Sequence, residues 1–330
     1  MKRYLITLLA IFFTLNILAL SPQLSSAASG TPLATGAAAS STCVARLKNV
    51  KSWACQLQGL EVKGAVAKIV SSKYDLVVVE PTKTEKGLKA FDTKKMVSQI
   101  KKSGKLVFAY ANIAEAEDWR YYWTWSKTNK KTWPKYIIDN DPDGWAGDYP
   151  VAYWKKDWQS LLFSKIIDEA LADGFDGIYM DWVGAYDQAL VLARAKLDKV
   201  NAHKEMVSLL GKIRTYTRAK NTNFMMIQQN AVELHKGFPN ALQYVDAISE
   251  EAIWYDGTSF DKWNDKNGMD KKTPSADTKN YIANLKVYKA AGKPVFALEY
   301  ALKYKNAAVS LAKKNGFIAY CSRRALSQLS

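Results

Sequence analysis

The chain has little from which to build a metal centre or a nucleophilic triad. It holds two histidines and three cysteines in 330 residues. There is no Cys-x-x-Cys, no His-Glu-x-x-His and no clustered ligand set, so no metal site and no cofactor are expected. The histidines, His203 and His235, fall in helix-like or loop contexts. A Gly-rich phosphate loop after an early strand is also missing, which argues against an open dinucleotide-binding sheet. After Leu20 no apolar run is long enough to cross a membrane. Acid is the minority charge, with 31 Asp and Glu against 47 Lys and Arg and a net charge of +16. Such an excess suggests attraction to anionic surfaces or polymers. The blander reading is dispersed surface lysine, and pairs such as Lys101-Lys102 and Lys130-Lys131 read as solvated faces.

What is present begins with an export signal. Lys2 and Arg3 precede an apolar run from Tyr4 to Leu20, and Ser25-Ser26-Ala27 offers small residues for cleavage. Residues 1–27 therefore read as a signal peptide, and the protein as secreted, extracellular or held in the cell envelope. No stable membrane anchor is expected unless the signal stays uncleaved. Residues 28–42, rich in Ala, Ser, Thr and Gly, read as a flexible linker. The globular part is 43–330. In an exported protein Cys43 and Cys55 could close a short loop, leaving Cys321 buried in a strand.

Within the globular part, short apolar segments alternate with helical patterns. The strand expectations are 53–57, 75–82, 106–113, 177–181, 224–229, 247–251, 294–300 and 317–321. Helix-period segments cover 93–102, 156–172, 185–219, 278–291 and 306–314. Gly104, Gly174, Gly292 and Gly316 follow several of them, as helix C-termini favour. Eight strands with interleaved helices predict an α/β fold, a single (β/α)8 TIM barrel with a long aromatic-rich loop after strand 3.

The organising stretch is Gly174 to Trp182, Gly-Phe-Asp-Gly-Ile-Tyr-Met-Asp-Trp. It reads as a turn, a short buried strand and a carboxylate at the strand's carboxyl end, the rim where barrels do chemistry. Other strand ends add Glu80, Glu115, Glu117, Gln229, Asn230, Glu250, Glu251, Glu299 and Arg323. Many carboxylates and few histidines point to acid/base work by paired carboxylates, as in glycoside hydrolysis. Residues 119–158 hold seven of the 11 tryptophans, interleaved with tyrosines. They would either stack on sugar rings or pin the loop to the barrel. Single-stranded nucleic acid is a weaker alternative partner, given the export signal.

These residues resemble glycoside hydrolase family 114, the endo-α-1,4-polygalactosaminidase family of secreted TIM barrels. The resemblance rests on Trp53-Ala-Cys-Gln-Leu-Gln, Asp75-Leu-Val-Val-Val-Glu, Tyr110-Ala-Asn-Ile-Ala-Glu-Ala-Glu-Asp-Trp-Arg, Gly174-Phe-Asp-Gly-Ile-Tyr-Met-Asp and Glu251-Ala-Ile-Trp-Tyr. Two positions depart from the family pattern, Glu80 where Asp is common and Ala114 where Gly is usual. The resemblance implies an endo-acting hydrolase of α-1,4-linked galactosamine-rich polysaccharide. It implies Asp181 as nucleophile or charge stabiliser, kept ionised by Arg120 or rim tyrosines, and Glu251 as general acid/base, with Glu250 as the alternative. Glu115, Glu117 and Arg120 would shape the site. Glu80, Tyr110, Trp154, Trp182, Gln229, Tyr255 and Glu299 complete the expected substrate-binding set. The expected partner is an amino-sugar polymer, not nucleic acid. The competing reading is a non-catalytic polysaccharide-binding protein of the cell surface on the same scaffold.

Overall fold

Each of the eight apolar segments forms a strand in the computed structural model of the protein, which describes residues 45–265 and 269–330. The expected signal peptide, the linker and Cys43 lie outside the described residues. The strands are β1 Trp53–Gln56, β2 Leu76–Val79, β3 Leu106–Asn112, β4 Gly177–Asp181, β5 Met225–Gln229, β6 Ala247–Glu251, β7 Val295–Glu299 and β8 Ile318–Cys321. They pair in chain order in one sheet. The ladders are all parallel, with Leu76 opposite Leu106 and Met180 opposite both Ala111 and Gln228. At the seam the Trp53 indole N–H donates to the Ile318 carbonyl, 2.9 Å. Just above it the Leu57 amide donates to the Leu326 carbonyl, 2.8 Å. The result is a nearly closed (β/α)8 TIM barrel.

Alternation along the strands sorts residues between the barrel interior and the helical shell. Trp53, Phe296 and Tyr320 meet with ring centroids 5.2 and 5.9 Å from the indole, and Tyr179 lies 6.3 Å from it. These rings fill the lower barrel and give the groups above them a dry floor. The filling depends on Gly177. A Cβ there would sit 2.3 Å from the Met225 carbonyl oxygen and 2.5 Å from the Phe108 ring. Gly174, three residues earlier, ends the preceding helix at φ 80°, and a methyl group there would meet nothing within 4 Å.

The outer helices are α1 Ala65–Ser71, α2 Thr93–Lys102, α3 Lys156–Leu162, α4 Asp168–Ala172, α5 Ala189–Leu197, α6 Ala202–Lys220, α7 Ser275–Ala290 and α8 Lys305–Asn315. A π turn over Phe163–Ile167 joins α3 to α4, so the expected 156–172 helix is continuous. The expected 185–219 helix is not. Lys199 takes φ 56°, and Asn201 caps a new helix by accepting the Lys204 amide at 2.9 Å. The loop after β3 carries its own antiparallel ribbon, Glu115–Glu117 against Asp148–Pro150.

Two glycine substitutions separate the two roles. Gly177→Ala forces overpacking against backbone and is expected to cost about 3 kcal/mol. Gly174→Ala carries only its backbone penalty of about 1–2 kcal/mol. Urea unfolding of the two variants against the parent protein checks the difference.

Candidate active site

At the carboxyl ends of the strands lies a cavity of about 700 Å³. Nine carboxylates line it, Glu61, Glu80, Glu85, Glu115, Glu117, Asp143, Asp148, Asp181 and Glu251, against two cations, Lys86 and Arg324. Asp181 and Glu251 end β4 and β6, with β5 between them, so their backbones stand about 10 Å apart at the usual strand spacing. Their side chains converge on the same cavity.

Asp181 is held by two donors. The Tyr110 hydroxyl donates to Oδ2 at 2.7 Å and the Trp182 amide to Oδ1 at 2.7 Å. Burial, then the Glu251 charge, nonetheless pushes its carboxyl up to about 6, with the Tyr110 and Trp182 donors pulling the other way. Glu251 accepts the Asn230 amide nitrogen at 2.8 Å and the Tyr300 hydroxyl, and its own N–H donates to Asn230 Oδ1 at 3.0 Å. Arg324 lies 4.7 Å over the Tyr300 ring. Burial and the adjacent carboxylate push both Tyr110 and Tyr300 well above the phenol range, so both keep the protons they donate. Between the pair, Tyr179 donates to Gln229 on β5 and bonds Ser249 on β6 at 3.0 Å.

Three neighbouring strands leave the barrel through left-handed backbone. Trp182, Asn230 and Ala252 follow Asp181, Gln229 and Glu251 with φ of 60°, 57° and 50°. Such conformations cost non-glycine residues about 1–2 kcal/mol each. They aim the Trp182 amide at Asp181 and the Asn230 side chain at Glu251.

A second network lies beside the cavity. Arg120 grips both oxygens of Glu80, with Nη2 to Oε2 at 3.3 Å, donates to Thr84 at 2.7 Å, and turns its Nε to Glu117 at 2.6 Å. All three charges are buried. Burial pulls the Glu80 carboxyl up and the Arg120 guanidinium pulls it back. Glu115 accepts the Asn112 amide at 2.8 Å, and burial followed by the Asp148 charge raises it well above the carboxylate range.

Of the expected substrate-binding residues, Glu80, Tyr110, Glu115, Glu117, Trp182 and Gln229 line the cavity. Four others do not. Arg120 is committed to Glu80 and Glu117, and the tyrosine that reaches Asp181 is Tyr110. Trp154 turns away, donating to Asp198 at 2.9 Å. Tyr255 stacks on Tyr304 with centroids 4.6 Å apart. Glu299 faces the shell, where it accepts the Tyr255 amide at 2.8 Å and the Trp254 amide at 3.3 Å, and burial pushes it up to about 8. Glu250 likewise points outward, buried with one oxygen unpartnered. Tyr300, Arg324 and Asp148 join the site although no motif pointed to them. The pleat offered the signal for Tyr300, since it shares a face with Leu298 and inward Phe296. Cys55 and Cys321 are free, buried thiols on β1 and β8, and Cys55 lines the cavity floor.

The aromatic loop divides its labour. Trp123, Trp125, Trp133, Tyr136, Tyr149 and Trp158 pack on one another with centroids 4.4–6.4 Å apart. Trp119 and Trp145 reach the cavity, and Trp145 remains 38% exposed.

A barrel mouth that holds paired carboxylates and hydroxyl donors is suited to acid/base chemistry. The chain belongs to glycoside-hydrolase family GH114, which it matches over residues 33–330, and it is a glycosidase. The match begins inside the segment expected as a linker. A protein of Deinococcus radiodurans is 31% identical over 287 residues, covering 86% of this chain and 83% of that one. The glycoside hydrolase domain of PelA from Pseudomonas aeruginosa shares the fold at TM-score 0.59 and 17% identity, over 84% of this chain and 96% of that domain. Ega3 of Aspergillus fumigatus, solved in complex with galactosamine, shares it at TM-score 0.58 and 16% identity, over 84% and 93%.

The Arg120 network makes a stability prediction. Arg120→Met strands two buried carboxylates and is expected to cost about 3–5 kcal/mol. Adding Glu80→Gln and Glu117→Gln removes the stranded charge and should restore most of it. Urea titrations of the single and triple variants at neutral pH give the measurement.

Proposed function

We propose that the protein is an exported, endo-acting hydrolase of α-1,4-linked galactosamine-rich polysaccharide, with Asp181 as nucleophile and Glu251 as general acid/base. The observation that carries this is the convergence of Asp181 and Glu251 in a cavity bordered by nine carboxylates and two cations. Even with Glu115 neutral and Arg120 set against Glu80 and Glu117, carboxylates outnumber cations there, so a protonated amino sugar is attracted, while an acidic or neutral sugar gains nothing from the excess. The galactosamine bound to Ega3 supports the same class. Exposed indole at the cavity edge, as at Trp145, offers stacking to sugar units beyond the cleaved bond, as an endo-acting enzyme needs.

In the proposed sequence, Asp181 attacks the anomeric carbon as the bond to the leaving oxygen breaks, and Glu251 gives that oxygen its proton. A water molecule then donates a proton to Glu251 and its oxygen to the anomeric carbon, releasing Asp181 and retaining configuration. Tyr110 and the Trp182 amide stabilise Asp181 as a carboxylate. Asn230 and Tyr300 fix the direction of Glu251. The stereochemistry is read by proton NMR of the first product formed, and inversion would remove the nucleophile role.

Glu251→Gln is expected to lower kcat on a galactosamine polymer by about 10²–10⁴-fold, the usual worth of acid/base assistance. New reducing ends are the readout. Turnover retained by the variant would eliminate the assignment, and turnover absent in the parent on every amino-sugar polymer would favour a binding protein instead.

The pH profile gives a signed test. Asp181 must be ionised to attack, and its carboxyl titrates near 6. Activity should therefore fall as pH drops through about 6. Tyr110→Phe removes a donor to the ionised form, so the acid limb of kcat/KM moves to higher pH. A limb that stays in place, or that lies on the alkaline side, would contradict the role given to Asp181.

A further inference from the structure

The charge of the chain is divided along the barrel axis. The mouth is acidic. The opposite end is built from the segments that lead into the strands, and lysine recurs there. Lys48 and Lys51 precede β1, Lys73 precedes β2, Lys102 precedes β3, Lys293 precedes β7 and Lys314 precedes β8. None of the six forms an ion pair with a described residue, whereas the acids at that end have partners. Asp75 accepts the Lys51 and Ser52 amides at 2.8 and 2.9 Å. Asp176 lies 2.9 Å from Lys101, and Asp246 binds Arg214 at 3.1 Å and Arg218 at 3.3 Å. Cations are therefore in surplus. Burial lowers Lys293 below the ordinary lysine range; the Asp246 charge pulls it back up, and the charges of Arg214, Lys48 and Arg218 add to the lowering.

Helix dipoles favour lysine at the C-terminal ends of barrel helices, and that accounts for Lys102 and Lys314. It does not account for Lys51, Lys73 or Lys293, which stand in non-helical lead-ins. The chain also enters the described domain on this end. Arg46 donates to the Gly104 carbonyl before β3 at 3.3 Å, and Lys48 lies against Gly292 before β7. The first described residues thus lie at the basic face.

We propose that this basic end docks on an anionic lipid bilayer, which directs the acidic mouth away from the membrane. The cations lead into five neighbouring strands, β7, β8, β1, β2 and β3, as suits a broad charged surface better than a single polymer strand. Each lysine within a Debye length of about 8–10 Å adds to the attraction. Nothing in this face depends on the reading given to the mouth.

The test uses the full chain and vesicles of phosphatidylcholine, alone or mixed with phosphatidylglycerol, at about 0.1 M salt. The parent protein is expected to bind the mixed vesicles at least about tenfold more tightly. Lys48→Gln, Lys51→Gln, Lys73→Gln and Lys293→Gln together should reduce that preference by at least about tenfold. A control with the same charge change on the helical flank, Lys156→Gln, Lys196→Gln, Lys279→Gln and Lys286→Gln, should keep it within about threefold. Thermal melts check that both variants fold. If the first does not, the parent's salt dependence decides, and a lipid preference insensitive to salt overturns the proposal. Equal loss in both variants, no preference for the anionic lipid, or tighter binding to soluble polyphosphate than to vesicles at equal phosphate would each overturn it too. Hydrolysis of soluble polymer by the parent protein reports on the mouth separately.

Discussion

Crowding of like charge at one end of the barrel is the constraint to which the rest of the site answers. Each buried carboxylate must be paired, hydrogen-bonded or protonated, because a bare charge away from water is too costly. The protein uses all three solutions within one mouth. Arg120 pairs Glu80 and Glu117. Tyrosine hydroxyls, an asparagine and a backbone amide support Asp181 and Glu251. Glu115, with burial and the Asp148 charge pushing it upward, is pressed toward the neutral form. The Arg120 arrangement is rigid because its guanidinium fork fixes two chain segments far apart in sequence, the end of β2 and the ribbon after β3.

Strand pleating explains what could be read from the residues alone and what could not. The eight strands were legible because each is a short apolar run bounded by turn residues, and Gly177–Asp181 ended where the spacing placed it. Asp181 and Glu251 were legible as carboxylates at strand ends. Glu299 occupies an equivalent place on β7 yet faces the shell, because Phe296 packs inward on Trp53 and fixes the parity. The same parity turns Glu250 outward beside an inward Glu251. Strand ends can be counted from sequence, but the face needs one inward neighbour to be known. Helix boundaries failed for a different reason. Lys199 in a left-handed turn leaves no mark in the hydrophobic period, so 185–219 has the pattern of one helix and is two.

The tryptophans show how a composition signal can be real and still mislead in detail. Seven in one loop is an excess, and two explanations were open. The loop uses most of them on itself, since a connection that long needs a core of its own to hold one shape. Trp119 and Trp145 are the ones left at the cavity. Trp154, adjacent in sequence to buried Tyr153, is tied to the end of α5 through Asp198.

Net charge has the same lesson at larger scale. A chain at +16 should repel a cationic polymer if its charge were spread evenly. It is not spread evenly along the barrel axis. Screening limits each exposed group to a range of about 8–10 Å, well short of a barrel's length, so a polymer at the mouth feels the local carboxylates and little of the floor. The left-handed exits of β4, β5 and β6 then give that local field its direction. Without them the Trp182 amide and the Asn230 side chain would not meet Asp181 and Glu251, and each carboxylate would keep only its tyrosine donor. The backbone strain is thus tied to the same requirement as the hydrogen bonds: two like charges held in one pocket, each with its own support.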